Sequence, residues 1–133
     1  MNDNTPLTIS NLASFAKLER FLTARRESFS SESEMNFEEF EVSLSQITHE
    51  IENEIKAHEL ARYDVRAPEI FVEGKVFRKC LEDEKKRYMT ASGPIFVERN
   101  LYRPQGGGES ICPLELRAGK ARRGGEKEPV KAV

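Results

Sequence analysis

The chain has 133 residues, of which 38% are hydrophobic and 33% charged, with two cysteines and a formal net charge of -2. This length bounds it to one domain, or one small domain with tails, and a mean hydropathy of -0.62 fits a modest core with sizeable solvated parts. No apolar run approaches the roughly 18 residues of a membrane span and no basic leader precedes an apolar stretch. The two cysteines, 32 positions apart, read as reduced thiols, so the expectation is a cytoplasmic protein with no membrane partner.

The small net charge hides an asymmetry. From Glu32 to Arg62 nine glutamates face only Lys56 and Arg62, whereas from Arg117 to Val133 six basic residues face Glu126 and Glu128. The segment between, Tyr63 to Leu116, carries nine charges of each sign. Such a split points weakly to a nucleic-acid or protein contact.

Residues 1–9 read as a frayed terminus and 10–66 as helical. Ser10 or Asn11 suits the N-cap of a first helix, with Leu12, Phe15, Leu18 or Ala16, and Leu22 at three- and four-residue steps on its apolar face. The serine-rich stretch Ser28 to Ser33 breaks it. Ser33 or Asn36 can cap a second helix from Phe37 to about Arg62, with Glu38 and Glu39 in its first turn. Phe37, Phe40, Leu44, Ile47 and Ile51 are spaced three, four, three and four apart, an a/d seam. Two readings of that seam stand side by side: packing in cis against the first helix as an antiparallel hairpin, or self-association as a short coiled coil. An acidic stripe of this kind should avoid DNA phosphates in either case.

Residues 67–119 read as a four-stranded antiparallel meander that ends in a clip, which makes the fold class α+β. EIFV and KVFRKC flank a turn at Glu73-Gly74 or Gly74-Lys75. This puts Ile70, Val72 and Phe77 on one face, and Phe71, Val76, Arg78 and Cys80 on the other. The charged run Leu81 to Lys86 reads as a connection to a second hairpin. There a Ser92-Gly93 loop would set Arg87 opposite Glu98. On its long strand Ile95, Val97, Arg99 and Leu101 alternate with Phe96, Glu98, Asn100 and Tyr102. Gly106-Gly107-Gly108 reads as a linker, Ile111 to Gly119 as an apolar clip able to dock on the sheet, and 120–133 as a disordered basic tail.

No nucleophile elbow, Walker loop or dinucleotide fingerprint is present. Cys80, Cys112, His49 and His58 lack the paired spacing that pre-orders zinc ligands. The carboxylates lie on a helix face and in the Glu82-Asp83-Glu84 run, where solvation explains them. The reading is therefore no catalytic residue, no metal, no cofactor and no small-molecule substrate. Nucleic acid stays open, because basic and aromatic residues interleave through Phe77, Arg78, Lys79, then Lys85, Lys86, Arg87, Tyr88, then Arg99, Tyr102, Arg103. A sheet face of that kind can bind phosphate and stack bases. The candidate DNA contacts are Arg78, Lys79, Lys86, Arg87, Tyr88, Arg99, Tyr102 and Arg103.

Tyr88 to Thr90, Gly93, Val97 to Arg103 (VERNLYR) and Cys112 to Gly119 (CPLELRAG) fall in an order that resembles the amino-terminal region of ISKra-type insertion-sequence transposases, and APEIFVEGKVFRK resembles that family's first hairpin. The likeness covers roughly residues 67–119. It implies a region that precedes helical segments and a ribonuclease-H-like domain bearing an acidic triad. No catalytic residue carries over, since no position here matches the triad. After Gly119 the chain departs from the family pattern into KARRGGEKEPVKAV, which implies a truncated or frameshifted copy. The resulting expectation is a non-catalytic transposase fragment that aids recognition of element DNA or assembly, with a homodimer or full-length transposase as partner. The alternatives are an interaction module working through the acidic helix, or a functionless remnant.

Overall fold

A computed structural model of the chain describes residues 7–27, 36–119 and 131–132. The frayed terminus up to residue 6, the serine-rich break and most of the basic tail lie outside them. The described part is α+β. After a 3-10 turn at Ile9–Asn11 come α1 (Ala13–Glu27), α2 (Phe37–Ala61), β1 (Glu69–Val72), β2 (Lys75–Thr90), β3 (Gly93–Pro104), α3 (Pro113–Ala118) and a two-residue β4 (Lys131–Ala132). The chain divides into two compact units, Met1–Lys56 with Thr90–Gly93, and Ala57–Met89 with Pro94–Val133.

In the first unit α2 begins where the sequence indicates. Asn36 and Glu39 form a reciprocal capping box, Glu39 N–H donating to Asn36 Oδ1 at 2.8 Å and Asn36 N–H to Glu39 Oε1 at 3.0 Å, and this satisfies two of the orphan donors of a helix start. The first helix differs from expectation. Ser10 and Asn11 lie in the 3-10 turn, and α1 starts at Ala13. A carboxylate some forty residues away caps it: Ala13 N–H and Ser14 N–H donate to Glu54 at 3.1 and 3.0 Å, and the Ser14 hydroxyl donates to the same group. A negative charge there also suits the helix dipole. Glu54→Ala is expected to cost about 1 kcal/mol, the usual worth of an N-cap, with Glu54→Gln costing less. Urea unfolding followed at the helical circular-dichroism band checks this, and unchanged midpoints for both variants would count against the cap.

Lys17 pairs with Glu50 at 2.9 Å, and Phe21 stacks on Phe40 with ring centroids 5.6 Å apart. The pairings therefore descend along α2 as they ascend along α1, the order of an antiparallel helical hairpin in cis. Phe21, not Leu22, supplies the contact on that side; Leu22 is exposed. The β2–β3 tip also belongs to this unit. Ser92 Oγ donates to Asn53 Oδ1 at 2.6 Å, and Lys56 donates to Ser92 Oγ at 2.8 Å.

In the second unit the strands stand in the order β3-β2-β1-β4. The first hairpin takes the first of the two turns that the sequence allows, with Ile70 facing Phe77 and Val72 facing Lys75. Its two-residue turn is Glu73-Gly74, with φ of 52° and 79°. Both values are positive, as a type I′ turn needs, and glycine meets the second at no steric cost.

Three sequence expectations need correction. The run Leu81 to Lys86 is no connection: β2 is one sixteen-residue strand, so β1, β2 and β3 make a three-stranded antiparallel sheet in place of a four-stranded meander. β1 pairs only with Lys75 to Arg78 of β2. Beyond it the strand runs on beside β3 with the side chains from Leu81 to Lys86 exposed apart from the half-buried Glu84, so that run needs no apolar residues. The irregularity shrinks to Asp83, whose φ is 53° and whose N–H donates to Asn100 Oδ1 at 3.0 Å. Second, β2 ends at Thr90 and β3 begins at Gly93, so the tip is Ala91-Ser92 and the Arg87–Glu98 facing pair is lost. Third, Lys131–Ala132 of the tail is extended and pairs antiparallel with Ile70 and Phe71. β1 would otherwise be a sheet edge with open backbone groups that any extended segment can meet.

The long strand β3 is buried on alternate faces in turn. Ile95 and Val97 join Leu60, Tyr88, Cys112 and Leu114 in one cluster. Tyr102, on the opposite face by strand alternation, joins Val65, Ile70, Val72 and Phe77 in a second. The clip docks in the first cluster as the short helix α3, with Pro113 at its start and Gly119 in the left-handed conformation at its end.

Candidate nucleic-acid interface

Three of the eight candidate DNA contacts are committed to the fold. Tyr102 is fully buried, and its hydroxyl donates to Val65 O at 3.1 Å and also to Ala67 O. Burial, with the Asp64 charge behind it, pushes that phenol up to about 12. Tyr88 is buried too, its hydroxyl donating to Glu115 Oε2 at 2.7 Å. Its pKa is raised by burial first and by that bond second. Neither ring is open to a base.

Arg99 donates from Nε to Glu84 Oε1 at 2.8 Å and from Nη1 to Glu115, with its side chain only 13% exposed. Burial works against its charge, but the bonds to Glu84 and Tyr88 outweigh it and hold the guanidinium ionised. A cation shared by two carboxylates attracts no phosphate. Tyr88, Tyr102 and Arg99 are thus corrections to the sequence reading: together they hold the sheet to α3 and to the segment from Asp64 to Ala67 that crosses it.

The other five differ in availability. Lys79 is half-buried and donates to Arg66 O at 3.0 Å. Arg78 is exposed but paired with Glu69 at 2.9 Å, a contact weak enough for phosphate to displace. Lys86, Arg87 and Arg103 are exposed and carry no ion pair among the described residues. Alternation divides them. Lys86 is on the Tyr88 side of β2 and Arg103 on the Arg99 side of β3, whereas Lys85 and Arg87 take the other side of β2.

That other side holds what the sequence reading overlooked. Phe96 is 54% exposed and Met89 61% exposed, and Lys85 Nζ lies over the Phe96 ring at 5.4 Å from its centroid. Alternation was the available signal: if Ile95 and Val97 point into a core, Phe96 between them points out.

The seam residues of α2 face their own chain. Ile47 is buried, and Phe40, Leu44 and Ile51 are half-buried. Phe40 lies between the Phe21 stack and the Arg25 guanidinium, 5.4 Å from its centroid. Phe37 alone of the five is exposed, at 68%. Cys112 is buried and its thiol is pushed up by that burial, which keeps it protonated and unreactive. Among the described residues no group of three His, Cys, Asp or Glu side chains could hold a metal ion, and no helix is long and apolar enough to cross a membrane.

Set against known proteins, the chain matches no family model, no curated protein and no solved structure.

Proposed function

We propose that this chain is a non-catalytic DNA-contacting module of an ISKra-type insertion-sequence transposase, engaging element DNA through the β2–β3 hairpin. One observation carries the DNA part: Lys86, Arg87 and Arg103 stand exposed on that hairpin without an acidic partner among the described residues. Exposed cations of this kind release condensed counterions when they meet phosphates, and that release is the main source of sequence-independent affinity. The transposase part rests on the strings from Tyr88 to Gly119.

The test is anisotropy of a labelled duplex bearing the terminal sequence of such an element, titrated with the full chain at about 50 mM and about 200 mM salt. Wild type should bind at low salt and weaken steeply at high salt. The triple variant Lys86→Ala, Arg87→Ala, Arg103→Ala keeps the basic tail. It should lose about tenfold or more at low salt and reduce the salt slope by about 2, since Lys86 and Arg103 share a face and Arg87 takes the other. A triple variant that binds as wild type would remove the hairpin from the interface.

A further inference from the structure

We propose that the face of the hairpin bearing Lys85, Arg87, Met89 and Phe96 is a platform for unpaired DNA strands, an inference that rests on the DNA-contacting reading above. Three observations combine. Phe96 and Met89 leave more than half of their surface in solvent although neighbours on the same strands are packed in a core. Lys85 and Arg87 flank them at alternate positions of β2, and so on the same side. The Lys85 ammonium already rests against the Phe96 ring, so aromatic surface and positive charge are adjacent.

A duplex can use only half of this arrangement. Its phosphates would meet Lys85 and Arg87, but its base faces are hidden in the stack and leave Phe96 and Met89 wet. An unpaired strand uses both, phosphates on the cations and a base against the ring, and this tolerates any sequence because every base has a π-face. Glu98 shares the face and is exposed, so it works against an anionic ligand and provides a control in the opposite direction.

The experiment compares a labelled single strand of roughly 20 nucleotides with a hairpin duplex of the same composition, each titrated with the full chain. Wild type should favour the single strand about tenfold. Phe96→Ala should bring single-strand affinity down to the duplex level and leave the duplex unaffected, while Lys85→Ala with Arg87→Ala should weaken both. Glu98→Gln should strengthen both by about threefold, through removal of one repulsive charge. The chain contains no tryptophan, so Phe96→Trp adds a single fluorophore, which the single strand should quench by stacking and the duplex should not. Equal or tighter binding of duplex, or a Phe96→Ala variant that keeps the single-strand preference, would overturn the platform while the DNA-contacting reading stands. Failure of both probes to bind at low salt would overturn both.

Discussion

Replacing Asn100 by alanine is expected to lower the unfolding free energy by about 3 kcal/mol, because it strips a fully buried amide from three bonds at once. Asn100 Nδ2 donates to Asp64 Oδ2 at 2.7 Å and to Val65 O at 3.0 Å, while its Oδ1 accepts from Asp83 N–H at 3.0 Å. Val65 O keeps the Tyr102 hydroxyl. The Asp83 amide and one Asp64 oxygen are left behind, and these orphaned groups set the cost. The effect should also depend on pH in a defined direction. Burial raises the Asp64 pKa above 3.8, and bonds from Asn100 and Val65 hold it back. Loss of the Asn100 side chain should therefore raise it further.

A carboxyl whose folded pKa lies above its unfolded value binds its proton more tightly in the native state. Its contribution is fully present below about 3.8 and lost as pH rises through the folded value. The deficit of Asn100→Ala relative to wild type should thus be largest near neutral pH and shrink on acidification toward the Asp64 midpoint. Asn100→Asp should exaggerate the trend, because it sets a second carboxylate against Asp64 while still accepting from Asp83. Urea unfolding of the three proteins across the acid range measures this. A deficit below about 1 kcal/mol, or one that does not vary with pH, would mean that water replaces the amide.

Asn100 also shows where the sequence stopped being informative. The alternation of β3 was legible, and so were the start of α2 at its capping box and the two faces of the first hairpin, because each is written in residues a few positions apart. Which face of β3 would be covered, and over what length, was not. Asn100 and Tyr102 share a face with Phe96 and Glu98, yet the first pair is buried and the second exposed, because the crossing segment from Asp64 to Ala67 covers only one end. Glu54 as the cap of α1 and the carboxylates on Arg99 were hidden for the same reason: their partners are 15 to 41 residues distant. The continuity of β2 was obscured differently. Its central charges satisfy every rule for a loop, and only the twelve-residue length of β3, which needs an equally long partner, argues for a strand. α3 carries its own local marks, proline at its first position and glycine just past its last.

Leu114→Ala is expected to cost about 3 kcal/mol or more, the range for a leucine removed from a packed site, and to release α3 as a unit. Leu114 has no exposed surface and sits among Leu60, Tyr88, Ile95, Val97 and Cys112. A six-residue helix has almost no stability of its own, so α3 persists only through what anchors it. Those anchors are Leu114, the Glu115 bonds to Tyr88 and Arg99, and the Arg117 bond to Tyr63 O at 3.0 Å. The strings on which the transposase resemblance rests are therefore largely residues that fasten the clip to the hairpin, and their spacing bears on fold more directly than on DNA contact. Two measurements separate release of the clip from simple loosening of the core. Amide exchange at Leu116 and Gly119, whose N–H groups donate to Cys112 O and Leu116 O, should accelerate in Leu114→Ala well beyond that at Phe77 on the other face. In a double-mutant cycle with Glu115→Gln the two costs should add to less than their sum, because once Leu114 is gone Glu115 no longer reaches Tyr88 and Arg99. Strict additivity, with uniform exchange across the second unit, would show that α3 stays docked without its leucine.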